Sequence, residues 1–389
     1  MILSSRAMND RVPRKSVLSR IKSYAARCFY FASLGYPLLL LFITFLINPF
    51  VGERNATLAF LLYLPQSVWI CLALPFAVIA WVFCRRWAWL YLPLFLVLLL
   101  GMGWRLPYGT KTVPDESLSV CVMSFNRGQH SSYSLQAFKN DQRPDVILLQ
   151  EASRRESNYR RSSGYKEYPH IVSMGEFIAL SKLPIMAVSE VRSPHRVLFG
   201  ARKGSAKTGV QSTPGDLLAM RMELELVGGS RFALYNVHFP TPREILNDGK
   251  KGGFLSGVLG FPGTPMAERR RLYESYWEKR INQAEDFIRI LNNDQLPKII
   301  AGDFNMPSNG FIYRLFAECW QDAHMEVGKG FGYTFPGRTR NPFSLGSAWL
   351  RLDYVFSSPC WDVVRLKVDK KSNSQHRPIS ATLVLRESF

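Results

Sequence analysis

Apolar positions follow two regimes along this chain. Between residues 28 and 104 they form three long runs, 28–48, 58–83 and 87–104, none containing a charged side chain. Each is about long enough to cross a hydrocarbon core of roughly 30 Å as a helix, and a charge inside one would be costly. Pro37, Pro65, Pro75 and Pro93 lie within them, where membrane helices tolerate proline better than soluble ones do. Phe29, Tyr30, Trp87, Trp89 and Trp104 sit at the ends, as an interfacial aromatic belt would. The pattern predicts three transmembrane helices. The first run is too long for the apolar core of a signal peptide and has no small-x-small cleavage site before Pro49.

After residue 116 the pattern changes to short β-branched and apolar runs that end in polar residues. They fall at 117–125, 145–149, 177–180, 217–227, 231–239, 298–301, 352–357, 363–368 and 379–385. Helical periodicity appears between some of them, most clearly over 267–291 and also near 133–140 and 153–161. Many short strands with few helices predict two packed sheets covered by helices. Pro107, Gly109 and Pro114 break the stretch 105–116, which reads as a linker. The resulting organisation is a basic arm (1–27), a membrane anchor (28–104), a linker (105–116) and a globular domain (117–389).

The polar residues at the run ends are chemically complementary. Asn126 closes the first run, and Gln150 and Glu151 close the second. Asn236 and His238 in "YNVHF" are two apart and so share a strand face, as do Asp303 and Asn305 in "GDFN". Asp353 lies in "LDYVF" and His376 in "QHRPI". Any one of these is explained as a turn residue, a helix cap or a structural histidine. Repeated at successive run ends, they supply the parts that phosphate-ester hydrolysis needs. Glu151, with Asn126 beside it, suits a hard cation with oxygen ligands such as Mg²⁺. Asp303 can orient or deprotonate water, while Asn236 and Asn305 offer neutral donors to phosphate oxygens. One imidazole can serve the phosphate and the other the leaving group, with Asp353 fixing a tautomer.

"SFN", "LLQE", "NVHF", "GDFN", "LDYVF" and "HRPI", in this order, resemble the endonuclease/exonuclease/phosphatase superfamily over about residues 117–386. That superfamily includes deoxyribonuclease-like nucleases, abasic endonucleases, neutral sphingomyelinases and inositol polyphosphate 5-phosphatases. The resemblance implies a four-layer α/β sandwich, two mainly antiparallel sheets flanked by helices, here preceded by the three transmembrane helices. It also implies Mg²⁺- or Mn²⁺-dependent cleavage of a phosphoester. Position by position, it puts Asn126 and Glu151 at the metal and Asn236 and Asn305 on the phosphate. It makes Asp303 the water-orienting aspartate and Asp353 with His376 the catalytic pair. His238 matches a second histidine of the deoxyribonuclease-like and sphingomyelinase-like branches, and Glu176 falls where its partner carboxylate would come. One position departs from the pattern: Gln375 stands where the family has aspartate before the last histidine. The lost charge predicts weaker metal binding or slower turnover, and in the extreme a phospho-ligand-binding domain.

Charge adds orientation and a hint of substrate. The chain carries 49 Lys and Arg against 30 Asp and Glu, a formal net charge of +19. The arm holds Arg6, Arg11, Arg14, Lys15, Arg20, Lys22 and Arg27, and the second inter-span loop holds Arg85 and Arg86. Both basic segments belong on the cytoplasmic side, which predicts a cytoplasmic N-terminus and an extracytoplasmic catalytic domain. The domain itself is net basic, which favours polyanions or anionic headgroups. The six cysteines form no CxxC pair and no ligand-like spacing. An insertion at 243–266 carries Phe254, Leu255, Val258, Leu259 and Phe261 beside Lys250 and Lys251. It suits either a loop dipping into headgroups or a glycine-rich lid. The basic loop 202–207, which includes Lys203, lacks the interleaved aromatics of a stacking surface. The expected partners are a bilayer and a phosphoester, either a phospholipid or sphingolipid headgroup or nucleic acid; no protein partner is inferred.

Overall fold

The computed structural model describes residues 17–83, 85, 89–106, 118–128, 134–197, 216–248, 265–337, 348–370 and 374–386. Strands β1 (Ser119–Asn126), β2 (Val146–Gln150), β3 (His170–Met174), β4 (Phe177–Ser181), β11 (Trp361–Val368) and β12 (Ile379–Leu385) form one six-stranded sheet in the order β11-β12-β1-β2-β4-β3. Strands β5 (Ile185–Ser193), β6 (Asp216–Glu225), β7 (Arg231–His238), β8 (Lys298–Asp303), β9 (Gln321–Asp322) and β10 (Asp353–Ser357) form the second, in the order β5-β6-β7-β8-β10-β9. All pairings are antiparallel except one in each sheet, β1 with β2 and β7 with β8.

Three apolar layers hold the sandwich. Val120, Val122, Leu148, Leu234, Ile299 and Val355 meet between the sheets. Tyr235, Ile300 and Phe356 on the outer face of the second sheet pack under Phe287 of the long helix Pro265–Asn293 and Phe316 of the helix Phe311–Ala317. Met123, Ile147 and Leu149 on the outer face of the first sheet meet Phe138 and Tyr159, from the helices Gln136–Gln142 and Glu156–Arg161. This is the four-layer α/β sandwich the sequence predicts. Central strands covered on both faces read as unbroken apolar runs, which is why their pattern was so plain. Strand β5 was not among the predicted runs. It lies at a sheet edge with most of its side chains exposed, so no apolar alternation marks it.

The N-terminal region departs from the prediction of three spans. Among the described residues one helix, Arg27–Phe50, is long and apolar enough to cross a membrane; Val68–Ile79 and Tyr91–Gly101 are shorter apolar helices. The predicted run 58–83 divides into the helices Ala56–Leu62 and Gln66–Phe83. Tyr63 and Leu64 turn the chain ahead of Pro65, which disfavours helical backbone in the residue before it. The predicted run 87–104 supplies an 11-residue helix that ends in a turn where Gly103 has φ +90°. The helices Gln66–Phe83 and Tyr91–Gly101 both pack against Val17–Phe42.

Residues of the predicted anchor pack directly against the sandwich. Ala56, Ala59, Leu62 and Tyr63 belong to one apolar cluster with Ile245, Tyr273, Trp277, Leu350 and Leu352 of the sandwich. Glu53 is fully buried and its Oε2 accepts from the amides of Phe311 (2.6 Å) and Ile312 (3.3 Å), capping a helix of the domain. Burial pushes the Glu53 carboxyl up despite these bonds and the Arg280 charge. Arg314 donates to the carbonyl of Pro49 at 2.7 Å, and Arg54 stacks over Phe311. Of the predicted linker, Arg105 pairs with Gly330 and residues 107–116 lie outside the described residues. The basic loop 202–207 and most of the insertion, 249–264, also lie outside them.

Candidate active site

The two parallel pairs explain where the site forms. Parallel neighbours end side by side, so each pair presents two carboxyl-terminal ends at one edge of its sheet. Register places Asn126 opposite Gln150 in one sheet and His238 opposite Asp303 in the other. Antiparallel β10 then brings its first residue, Asp353, opposite Asp303. Close approach of β7 and β8 depends on Gly302, whose added Cβ would lie 2.0 Å from the Val237 carbonyl oxygen. The glycine of "GDFN" is thus required by the strand spacing beside Asp303.

Asp303 is the centre of the constellation and is fully buried. Its Oδ1 accepts from the Asn305 amide at 2.9 Å. Its Oδ2 accepts from Asn126 Nδ2 at 2.8 Å and Asn305 Nδ2 at 3.2 Å. The Nε2 atoms of His376 and His238 stand 3.6 and 3.7 Å from the same Oδ2. Each imidazole is backed on Nδ1 by a carboxylate, His376 by Asp353 at 2.9 Å and His238 by Glu176 at 2.8 Å. Burial opposes charging either ring, but the carboxylates outweigh it and raise both pKa values to about 9. Burial pushes Asp303 upward, and Asp353 adds to this against the pull of the two histidines and Asn126. Burial would raise Glu176 too, yet its bond to His238 leaves it below the usual carboxylate range.

At neutral pH both rings are therefore cations and donors on both nitrogens. His238 Nε2 is buried and has no hydrogen-bond partner, and neither has Asp353 Oδ1. Buried polar atoms without partners are uncommon and ask for an explanation; here a phosphoryl oxygen would supply the missing acceptor for His238. Backbone strain gathers at the same place. Glu151 and Asn305 have φ of +50° and +48°, a region that costs energy for residues with a side chain and is concentrated at functional sites.

Oxygen donors suitable for a hard cation are also present. Asn126 Nδ2 reaches Glu151 Oε1 at 3.2 Å as well as Asp303, so two carboxylates and an amide converge. That donor set fits Mg²⁺ or Mn²⁺. Asp303, Asp353 and His376 additionally have ligand atoms within 4.8 Å of one another. With His376 Nδ1 facing Asp353, that trio reads as a catalytic pair beside an acceptor.

Two sequence expectations look different in the structure. Asn236 was expected on the phosphate, but its Nδ2 donates to the carbonyls of Leu149 and Ile178, both at 3.2 Å, and its Oδ1 accepts from Gln150 at 2.7 Å. It ties the two sheets together beneath the site. Asn305 likewise gives its amide to Phe239 O and Asp303. Gln375 lies exposed next to His376, and its Oε1 accepts from Arg243 Nη2 at 3.4 Å. Several contributors had no signal of their own. Thr334 Oγ1 accepts from the amides of Leu352 (3.1 Å) and Asp353 (3.2 Å), fixing the start of β10. Arg280, buried, donates to the carbonyls of Pro240, Phe304 and Asn305.

A profile of the endonuclease/exonuclease/phosphatase family matches residues 132–376. The chain belongs to that family. Members of this family are phosphoester hydrolases that typically depend on a divalent metal, so the chain is a hydrolase of the endonuclease/exonuclease/phosphatase class. Among curated protein sequences none matches it. Similar solved structures include an endonuclease/exonuclease/phosphatase from Bacteroides vulgatus, at 18% identity and TM-score 0.46, covering 69% of this chain and 99% of that one. The human Nocturnin catalytic domain with bound sulfate is 15% identical, with TM-score 0.44, covering 70% and 96%. A mannosyl-6-phosphatase from Bacteroides thetaiotaomicron is 14% identical, with TM-score 0.44, covering 68% and 100%.

Proposed function

We propose that this family member is a membrane-anchored phosphodiesterase that uses Mg²⁺ or Mn²⁺ and cleaves a phosphoester with an activated water. The observation that carries the reading is Asp303 standing between two imidazoles, each fixed by its own carboxylate. Asp303 orients the attacking water and receives its proton, a role its raised pKa suits. His238 and His376 donate from Nε2 to phosphoryl oxygens as negative charge grows there. One of them also protonates the leaving oxygen. Glu151 and Asn126 would hold the cation, which would neutralise phosphoryl charge when bound.

The bilayer is the favoured location of the substrate. Exposed large apolar side chains among the described residues fall mainly in residues 24–100, including Phe31, Phe42, Leu46, Trp81 and Leu92. Contiguous exposure of that kind marks a surface meant for lipid or a partner. In this reading the helix Arg27–Phe50 crosses the membrane, and the catalytic domain lies outside the cytoplasm. Supporting it, segment 48–63 and residues 103–105 both touch the sandwich, as an odd number of crossings requires. Tethering raises the effective concentration of lipid headgroups at the site, so a phospholipid or sphingolipid headgroup is the proposed substrate, with nucleic acid the competitor.

The test is turnover by the full chain in detergent with Mg²⁺ or Mn²⁺, pairing plasmid DNA with mixed phospholipid and sphingomyelin vesicles. Asp303→Asn serves as the blank. Metal-dependent headgroup release, lost in the blank, supports the proposal. Preferential, salt-sensitive DNA cleavage would replace it with a tethered nuclease. Binding without turnover on every substrate would leave a phospho-ligand-binding domain.

A further inference from the structure

We propose that the segment between the helices Arg27–Phe50 and Gln66–Phe83 is a working part of the active site, with Tyr63 as a positioning residue for Asp303. This deepens the hydrolase reading and rests on it. The chain of contact is short. The Tyr63 hydroxyl donates to the Asn305 carbonyl at 2.6 Å, in a buried bond spanning 242 residues of sequence. Arg280 Nη2 donates to the same oxygen at 3.0 Å. Asn305 is in the left-handed region, with φ +48°. In that conformation its carbonyl points toward Tyr63 while its amide and side chain hold both oxygens of Asp303, at 2.9 and 3.2 Å. A carbonyl held by two donors resists the peptide rotation that would relax the strained turn. Tyr63 thus acts on Asp303 through one intervening residue.

Other contacts locate Tyr63 itself. Its ring lies 5.8 Å from that of Trp277, within the cluster that joins the helix Ala56–Leu62 to the sandwich. Asn55 caps that helix, accepting from the amides of Thr57 (3.0 Å) and Leu58 (3.2 Å). Buried Glu53, ten residues upstream of Tyr63 on the same excursion from the apolar helices, locks the segment to the helix that follows the 303–310 loop. The geometry of the catalytic turn therefore depends on chain that enters the domain from the N-terminal region. A structural role alone would make Tyr63 a packing residue whose hydroxyl is incidental. The bond to Asn305 predicts that the hydroxyl matters separately.

The experiment compares wild type with Tyr63→Phe, both as the full chain in detergent, using bis(p-nitrophenyl) phosphate with Mg²⁺ or Mn²⁺. The ring and its packing are kept, so the melting temperature should barely move. Losing one buried hydrogen bond of this kind should lower kcat about three- to tenfold with KM nearly unchanged. Amide hydrogen exchange at residues 303–306 should accelerate by a similar factor. Tyr63→Leu, which also removes ring packing, should lower the melting temperature as well. Equal kcat and equal exchange in Tyr63→Phe would overturn the proposal. So would a kcat loss that only tracks the melting temperature across the two variants. If wild type turns over nothing, the hydrolase reading fails and exchange at 303–306 alone decides whether Tyr63 holds the turn.

Discussion

Two imidazole–carboxylate pairs flank one aspartate in this molecule, and they differ in their surroundings. His376 and Asp353 are almost sealed, with side chains 6% and 1% exposed. His238 is 10% exposed, but its partner Glu176 is 36% exposed and sits on a turn. Asp353 is fixed by strand register with Asp303 and by Thr334 beneath it. Glu176 is fixed by the short β3–β4 turn, where its carbonyl accepts from Ala152 at 2.9 Å. The contrast teaches that one pair is built into the rigid sheet and the other into its rim. An interaction in the low-dielectric interior is strong, and it is expensive to break. The same charge near water is screened. The inner pair should therefore carry the larger share of transition-state stabilisation, and the outer pair should tune it.

Removing the shared carboxylate breaks the comparison outright. Asp303→Asn keeps the shape but leaves both imidazoles without the carboxylate they share, and water without its base. The expected loss in kcat is at least about 10³-fold, measured at saturating substrate. A loss of less than tenfold would mean that Asp303 is not the centre of the chemistry. Asp353→Asn comes next, with an expected loss of about 10²–10³-fold, because a buried imidazolium then loses its paired charge. The same variant should bring the His376 pKa down from about 9, detectable by NMR titration.

Glu176→Gln sharpens the difference by moving only the rim. Without the carboxylate, His238 should titrate near an ordinary imidazole value of about 6.5. At pH 7.5 that leaves roughly a tenth of the rings protonated, so kcat should fall about tenfold. Lowering the pH below 6.5 should recover much of it. The sign for stability is the same. In wild type both histidines have raised pKa values of about 9, so their stabilisation is complete below the unfolded value and is lost as pH rises through 9. The melting temperature should fall between pH 6.5 and 9, by less in Glu176→Gln. An unchanged pH profile would show that Glu176 does not control His238.

Part of the site was legible because strands impose period two and end where their residues turn polar. Asn126 and Asp303 close their strands and are legible from that, whereas Asp353 opens β10, His376 lies in the loop before β12, and Glu176 is reached only by resemblance. The sandwich was legible for the same reason. What the spacing concealed were the groups acting through backbone atoms, Tyr63 on the Asn305 carbonyl and Thr334 on the Asp353 amide. Backbone acceptors have no residue type, so no pattern reports them. The anchor was misread in a related way. Hydropathy registers 58–83 as one run, although its residues Ala59, Leu62 and Tyr63 spend their apolar face on the sandwich. A window average cannot say what covers an apolar side chain.

The smallest effect is expected where the sequence departs from its family. Sequence alone suggests that Gln375→Asp should restore a missing charge and strengthen metal binding. The structure adds Arg243, whose Nη2 already bonds Gln375 Oε1 at 3.4 Å on the exposed rim. An aspartate there is one methylene shorter and would be drawn to that guanidinium, so its charge would be largely spent before reaching the metal ligands. Exposed pairs of this kind contribute about 0–1 kcal/mol. Gln375→Asp alone should therefore change metal affinity by less than about threefold, within the range of one such pair. Adding Arg243→Ala should release the carboxylate, so the double variant binds Mg²⁺ or Mn²⁺ more tightly than Arg243→Ala does. Isothermal titration of the metal into the four proteins of that cycle measures the coupling. A large gain from Gln375→Asp with Arg243 intact would mean that the arginine does not absorb the charge. The original expectation of a site weakened simply by its glutamine would then stand.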